Sequence, residues 1–155
     1  MKSGLESFPV DNQRHGIRAT GDYATFKGRE YFARDMGDRV RLLSDDTPLP
    51  PSFQESRKSW VRGEFIVDIG SIQRLQKVKS TCTWRGHPFE IGIIMGDVAY
   101  VTYLGKAVDQ VCRLPGMERP DKFEVIGEIP VAELIELEEH VQDIDLASRI
   151  EKGAR

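Results

Sequence analysis

Thr25-Phe26-Lys27-Gly28-Arg29 is answered by Thr83-Trp84-Arg85-Gly86-His87, fifty-eight residues further on. Met36-Gly37-Asp38 is answered by Met95-Gly96-Asp97 at an offset of fifty-nine. Each copy closes with a similar phrase ahead of an apolar run, Asp68-Ile69-Gly70-Ser71 in one and Glu128-Ile129-Pro130-Val131 in the other. A fixed long period marks a duplicated structural unit. The chain is therefore read as two related β units at 21–78 and 79–150, behind a flexible or loosely docked leader at 1–20 and ahead of a frayed tail at 151–155.

Both copies read as hairpins. Tyr23 to Lys27 and Glu30 to Asp35 flank Lys27-Gly28-Arg29, where the glycine suits a tight turn between strands. Val40 and Leu42 alternate with Arg39 and Arg41, the period of a half-buried strand. A Pro-rich connection from Asp45 to Arg57 follows, then a strand from Trp60 to Ile69, then Ile72, Leu75 and Val78 at the spacing of a short helix face. The second copy repeats the order, with Thr81 to Arg85, Pro88 to Ile94, Val98 to Leu104 and Phe123 to Ile129 as strands. Leu134, Leu137, Val141 and Ile144 recur at three- and four-residue steps, and Pro130 stands where a helix accepts proline. They predict an amphipathic helix from Val131 to Ile150. The expected class is α+β, mainly β: two small barrels of the Src-homology-3 or Tudor kind, or two bent antiparallel sheets, packed together with a long C-terminal helix.

Charge is uneven along the chain. Residues 1–78 carry 13 basic and 11 acidic side chains, and 79–155 carry 9 and 14. No Lys or Arg falls between Val131 and Asp145, a stretch holding Glu133, Glu136, Glu138, Glu139, Asp143 and Asp145. An acidic face of this kind repels nucleic acid and suits a basic protein partner. Two cysteines, Cys82 and Cys112, make no disulfide framework, and the N-terminal residues lack the apolar core of a secretory signal. A cytoplasmic protein with reduced thiols is expected.

Reactive signatures are weak. Cys82 and His87 are close in sequence, but the repeat aligns Cys82 with Ala24 inside a strand and His87 with Arg29 at a hairpin tip, which argues for packing and turn roles. His15, His87 and His140 lack metal-ligand spacing, and Gly92 to Gly96 lacks the Lys-Ser or Lys-Thr of a phosphate loop. No cofactor, metal or catalytic residue is assigned. An aromatic cage from Trp60, Trp84, Tyr100 and Tyr103 competes with a core role, because Trp84 aligns with Phe26.

Two binding readings stay open. Glu133, Glu136, Glu139 and Asp143 on the expected helix, with the loop acids Asp45, Asp46 and Asp109, are the candidates for contacting a basic protein, the chain acting as monomer or homodimer. Arg29, Arg34, Arg39 and Arg41, with Tyr23, Phe26, Tyr31 and Phe32 among them, are the candidates for a nucleic-acid or ribosome-associated surface. Trp84-Arg85-Gly86-His87-Pro88-Phe89 and Pro130-Val131-Ala132-Glu133-Leu134 give residues 20–145 a character that resembles small bacterial immunity proteins, which neutralise secreted polymorphic toxins. The resemblance implies a non-enzymatic inhibitor that covers a toxin domain. It carries over no functional residue.

Overall fold

The computed structural model describes residues 16–56 and 61–153. Two compact units emerge, one built on Gly21–Val78 with the chain from Val141 onward, the other on Lys79–His140 with the stretch ending at Thr20.

The first unit opens with strands β1 (Gly21–Phe26), β2 (Arg29–Asp35) and β3 (Arg39–Ser44), all antiparallel. The short β4 (Gln54–Glu55) and then β5 (Gly63–Asp68) pair back, β5 lying against β3. A 3-10 turn at Ile69–Ser71 leads into β6 (Arg74–Trp84), whose first residues pair with β1 from Gly21↔Val78 to Thr25↔Arg74. The second unit repeats this order. The rest of β6 pairs with β7 (His87–Met95), β7 with β8 (Val98–Tyr103), and β8 with β10 (Ile126–Pro130). A four-residue helix, α1 (Val108–Val111), and β9 (Met117–Glu118) fill the β8–β10 connection. A 3-10 turn at Val131–Glu133 then leads into β11 (Ile135–Asp143), which pairs with β6, and α2 (Leu146–Gly153) is the last described element.

The matched sequence stretches adopt matched backbones. Lys27 and Gly28 turn at φ of 50° and 79°, and Arg85 and Gly86 at 51° and 79°. Two successive positive φ values are what a two-residue hairpin needs to follow the right-handed twist of its strands. Ile69 N–H donates to Asp38 O at 2.9 Å, and Val131 N–H donates to Asp97 O at 2.8 Å, so each 3-10 turn is tied to the second hairpin of its own copy.

Three expectations need correction. Strand pairing runs β4-β5-β3-β2-β1-β6-β7-β8-β10-β9 as one open antiparallel sheet, with β11 beside β6, so the two small barrels are not formed. Leu75 and Val78 lie on β6 rather than on a helix, because their spacing of three is too short a signal to outweigh pairing with β1. Gln76, Val78, Ser80, Cys82 and Trp84 are buried in strict alternation along that strand. The long helix expected over Val131 to Ile150 is also absent: a 3-10 turn, β11 and the eight-residue α2 occupy it. Leu137 and Val141 fit period two as well as a helical step, and pairing with β6 selects the strand over the helix propensity of Ala, Glu and Leu. Glu136 at φ 52° would break a helix there.

Each unit has its own apolar cluster. Ala24, Tyr31, Val40, Leu42, Val67 and Leu75 form the first, against which Ile144 and Leu146 pack from the returning C-terminal segment. Trp84, Phe89, Ile91, Ile94, Val125 and Ile129 form the second, together with Ile17 from the end of the expected leader. Thr20 N–H donates to Ile91 O at 3.0 Å, which fixes that end of the leader, while 1–15 lie outside the described residues. Among the described residues no helix is long and apolar enough to cross a membrane.

Candidate functional site

The acids predicted to share one helix face are separated by the strand. Glu133, in the 3-10 turn, accepts a hydrogen bond from the indole Nε1–H of buried Trp84 at 2.9 Å. Glu139 holds Arg18 twice, accepting from its backbone N–H at 2.9 Å and its Nε–H at 3.0 Å. In the other unit, Asp143 accepts from Arg74 Nε–H at 2.9 Å and Gln76 Nε2–H at 3.0 Å. Of the four, Glu136 alone projects from an exposed position with left-handed backbone, a kink of the kind a β-bulge uses.

The loop acids are engaged as well. Asp45 Oδ1 accepts from Arg62 N–H at 2.9 Å, while its Oδ2 is buried without a partner and burial pushes the carboxyl above its usual range. Asp46 is bonded to Arg29, so one residue from each candidate set neutralises the other. Asp109 pairs with Arg119, whose guanidinium also donates to Lys122 O at 2.8 Å and orders the loop that leaves Phe123 84 % exposed.

The proposed nucleic-acid face is largely consumed in the same way. Arg29 stacks 5.0 Å over the Tyr31 ring as well as meeting Asp46. Arg39 lies 4.0 Å from Asp38 and Arg41 3.8 Å from Glu64, while Arg34 on β2 is exposed and makes no ion pair among the described residues. Tyr23 and Tyr31 are buried, Phe26 meets Phe65 edge-on at 5.8 Å, and the half-buried Phe32 meets Tyr23 edge-on at 5.4 Å. An aromatic cage is likewise undone. Trp84 is buried, Tyr100 bonds Glu128, Tyr103 Oη accepts from Ala107 N–H at 3.1 Å, and Trp60 lies outside the described residues.

Cys82 is buried in β6, and that burial pushes its thiol up to about 11. A thiol so shifted is a poor nucleophile near neutrality. His87 instead stands edge-on to Tyr103 with ring centroids 6.0 Å apart. His140 Nε2 lies 3.2 Å from Thr81 Oγ1 and 3.5 Å from Glu138, so hydroxyl and carboxylate address the same ring nitrogen. A relay needs them on opposite nitrogens. Among the described residues no group of three or more His, Cys, Asp or Glu is placed to hold a metal ion.

What the geometry does present is β11 itself. All nine of its residues are exposed, including Ile135, Leu137 and Val141 at 57 %, 42 % and 43 %. In the second unit, Ile135 to His140 therefore combines exposed apolar side chains with Glu136 and Glu138. No protein family, curated protein or solved structure matches this chain. Ile135, Leu137 and Glu138 were absent from the predicted site. Their signal was the alternation Ile135-Glu136-Leu137-Glu138, masked by the equally good helical spacing of Leu134, Leu137 and Val141.

Proposed function

We propose that this chain is a non-enzymatic protein-binding module whose recognition element is the exposed acidic strand Ile135–His140. The observation that carries the reading is the nine-residue strand exposed throughout its length. Ordinary edge strands bury one face, and an exposed run with apolar and acidic side chains is a surface prepared for a partner. Glu136 and Glu138 give that surface its sign, because Glu133 and Glu139 are held by Trp84 and Arg18. The partner is then basic. The resemblance to immunity proteins supplies its expected class, a toxin domain neutralised in the cytoplasm, and the two free thiols are compatible with that compartment.

Affinity capture with the wild type and with a Glu136→Lys, Glu138→Lys double variant tests the reading. A basic protein captured by the first and lost by the second supports it. Retention of every captured protein by the variant, or capture of none above background, rejects it. The competing nucleic-acid reading predicts low-salt binding of a single-stranded oligonucleotide that Arg34→Ala weakens.

A further inference from the structure

We propose that β11 binds its partner by strand addition, taking an extended basic segment along the edge that faces away from β6. This deepens the reading above and rests on it. Ile144 N–H donates to Leu75 O at 2.9 Å, so it faces β6. Backbone groups alternate sides along a strand. The N–H and C=O of Gln142, His140 and Glu138 therefore face β6 too, and those of Glu139 and Leu137 face away. Among the described residues β6 is the strand neighbour of β11. Arg18 bonds the Glu139 carboxylate through its backbone N–H and its Nε–H. Leu137 and Glu139 thus present two N–H donors and two C=O acceptors in the geometry that an added strand completes.

Charge decides which strand. The sequence Ile-Glu-Leu-Glu-Glu-His-Val-Gln-Asp carries four carboxylates and no Lys or Arg. Arg18 and Arg74 pair with Glu139 and Asp143, so Glu136 and Glu138 set the sign of the edge; a second copy would oppose like charges there, and like charges opposed across a sheet are destabilising. The acids therefore guard the edge against self-pairing while favouring a segment in which Lys or Arg alternates with apolar residues. Leu137 and Ile135 offer exposed apolar surface to those apolar positions.

The probe is a short labelled peptide alternating lysine and valine. Its controls are the same peptide interrupted by prolines, which keeps the charge but cannot form a ladder, and a peptide copying residues 135–143. Binding is followed by anisotropy, and amide exchange at Leu137 and Glu139 by NMR. The lysine–valine peptide is expected to bind and to slow exchange at both amides, and the two controls to do neither. Glu139→Pro, which removes the outward N–H, is expected to weaken binding about fivefold relative to Glu139→Ala, the loss of one hydrogen bond. Exchange in the wild type remains decisive if the proline variant fails to fold. Equal binding of the proline-interrupted peptide, or binding without protection, overturns strand addition and leaves the acidic-surface reading intact. Protection by the 135–143 peptide in place of the basic one assigns the edge to a second copy and overturns the proposal. No binding by any peptide also overturns it, while the fate of the broader reading still rests on the capture experiment.

Discussion

The indole Nε1–H of Trp84 donates to Glu133 Oε1 at 2.9 Å, joining a core ring of β6 to the 3-10 turn that launches β11. Trp84 is 3 % exposed and meets Phe89 edge-on at 5.8 Å. An indole buried to this extent needs a partner for its N–H. Glu133 is that partner, so a carboxylate expected at a binding surface works on the fold.

Trp84→Ala is expected to cost about 3–5 kcal/mol of stability through loss of packing. Glu133→Ala is expected to cost about 1–2 kcal/mol, since it strands a buried donor. Urea denaturation followed by circular dichroism measures both. A neutral Glu133→Ala would show that the indole is satisfied elsewhere.

Asp35 and Arg149 form a two-pronged pair, Nη1 to Oδ1 and Nη2 to Oδ2 at 2.9 Å each, which fastens α2 to β2 within the first unit. The Arg149 hydrogen bonds, helped by Gly37 N–H and Lys77, hold the Asp35 carboxyl well below the usual carboxylate range against the opposing effect of burial. Folding thus favours its charged form. The resulting stability is complete above about pH 4, the ordinary aspartate value, and is lost as pH falls toward the depressed native value. Asp35→Asn is expected to cost about 2 kcal/mol at pH 7 and to flatten the decline in stability below about pH 4. Denaturant midpoints at a series of pH values check both.

The thiol of Cys82, pushed up to about 11 by burial, is expected to react slowly with a disulfide reagent at pH 7.5. Cys112 is only half-buried and reacts first. Reagent kinetics should show one accessible thiol in the native protein and two in denaturant. Fast modification of a Cys112→Ser variant would contradict the packing of β6.

Gly28 and Gly86 have φ of 79°, and a Cβ added at either meets nothing within 4 Å. Alanine there is penalised by backbone conformation alone, at about 1–2 kcal/mol per site. The two substitutions lie in different units and should add. Equal losses for Gly28→Ala and Gly86→Ala, read by thermal denaturation, would mark the hairpins as energetic as well as geometric repeats.

The hairpins were legible because their information is local. Lys27-Gly28 and Arg85-Gly86 name the turn, and the flanking aromatic and β-branched residues name the strands. The acid clusters were legible as charge but not as surface. Asp46 finds Arg29, Glu139 finds Arg18 and Asp143 finds Arg74 at separations of 17, 121 and 69 residues, and spacing along the chain says nothing about such partners.

By itself the sequence determined the duplication, the turn positions and the strands around them, since a glycine at positive φ and a period of two are properties of a few consecutive residues. Tertiary structure decided the fate of residues 72–78 and 131–150. There the same apolar residues satisfy a helix and a strand, and the choice was made by hydrogen bonds to β1 and β6, elements remote in sequence. That choice dispersed the expected acidic helix face and left an exposed strand, β11, in its place.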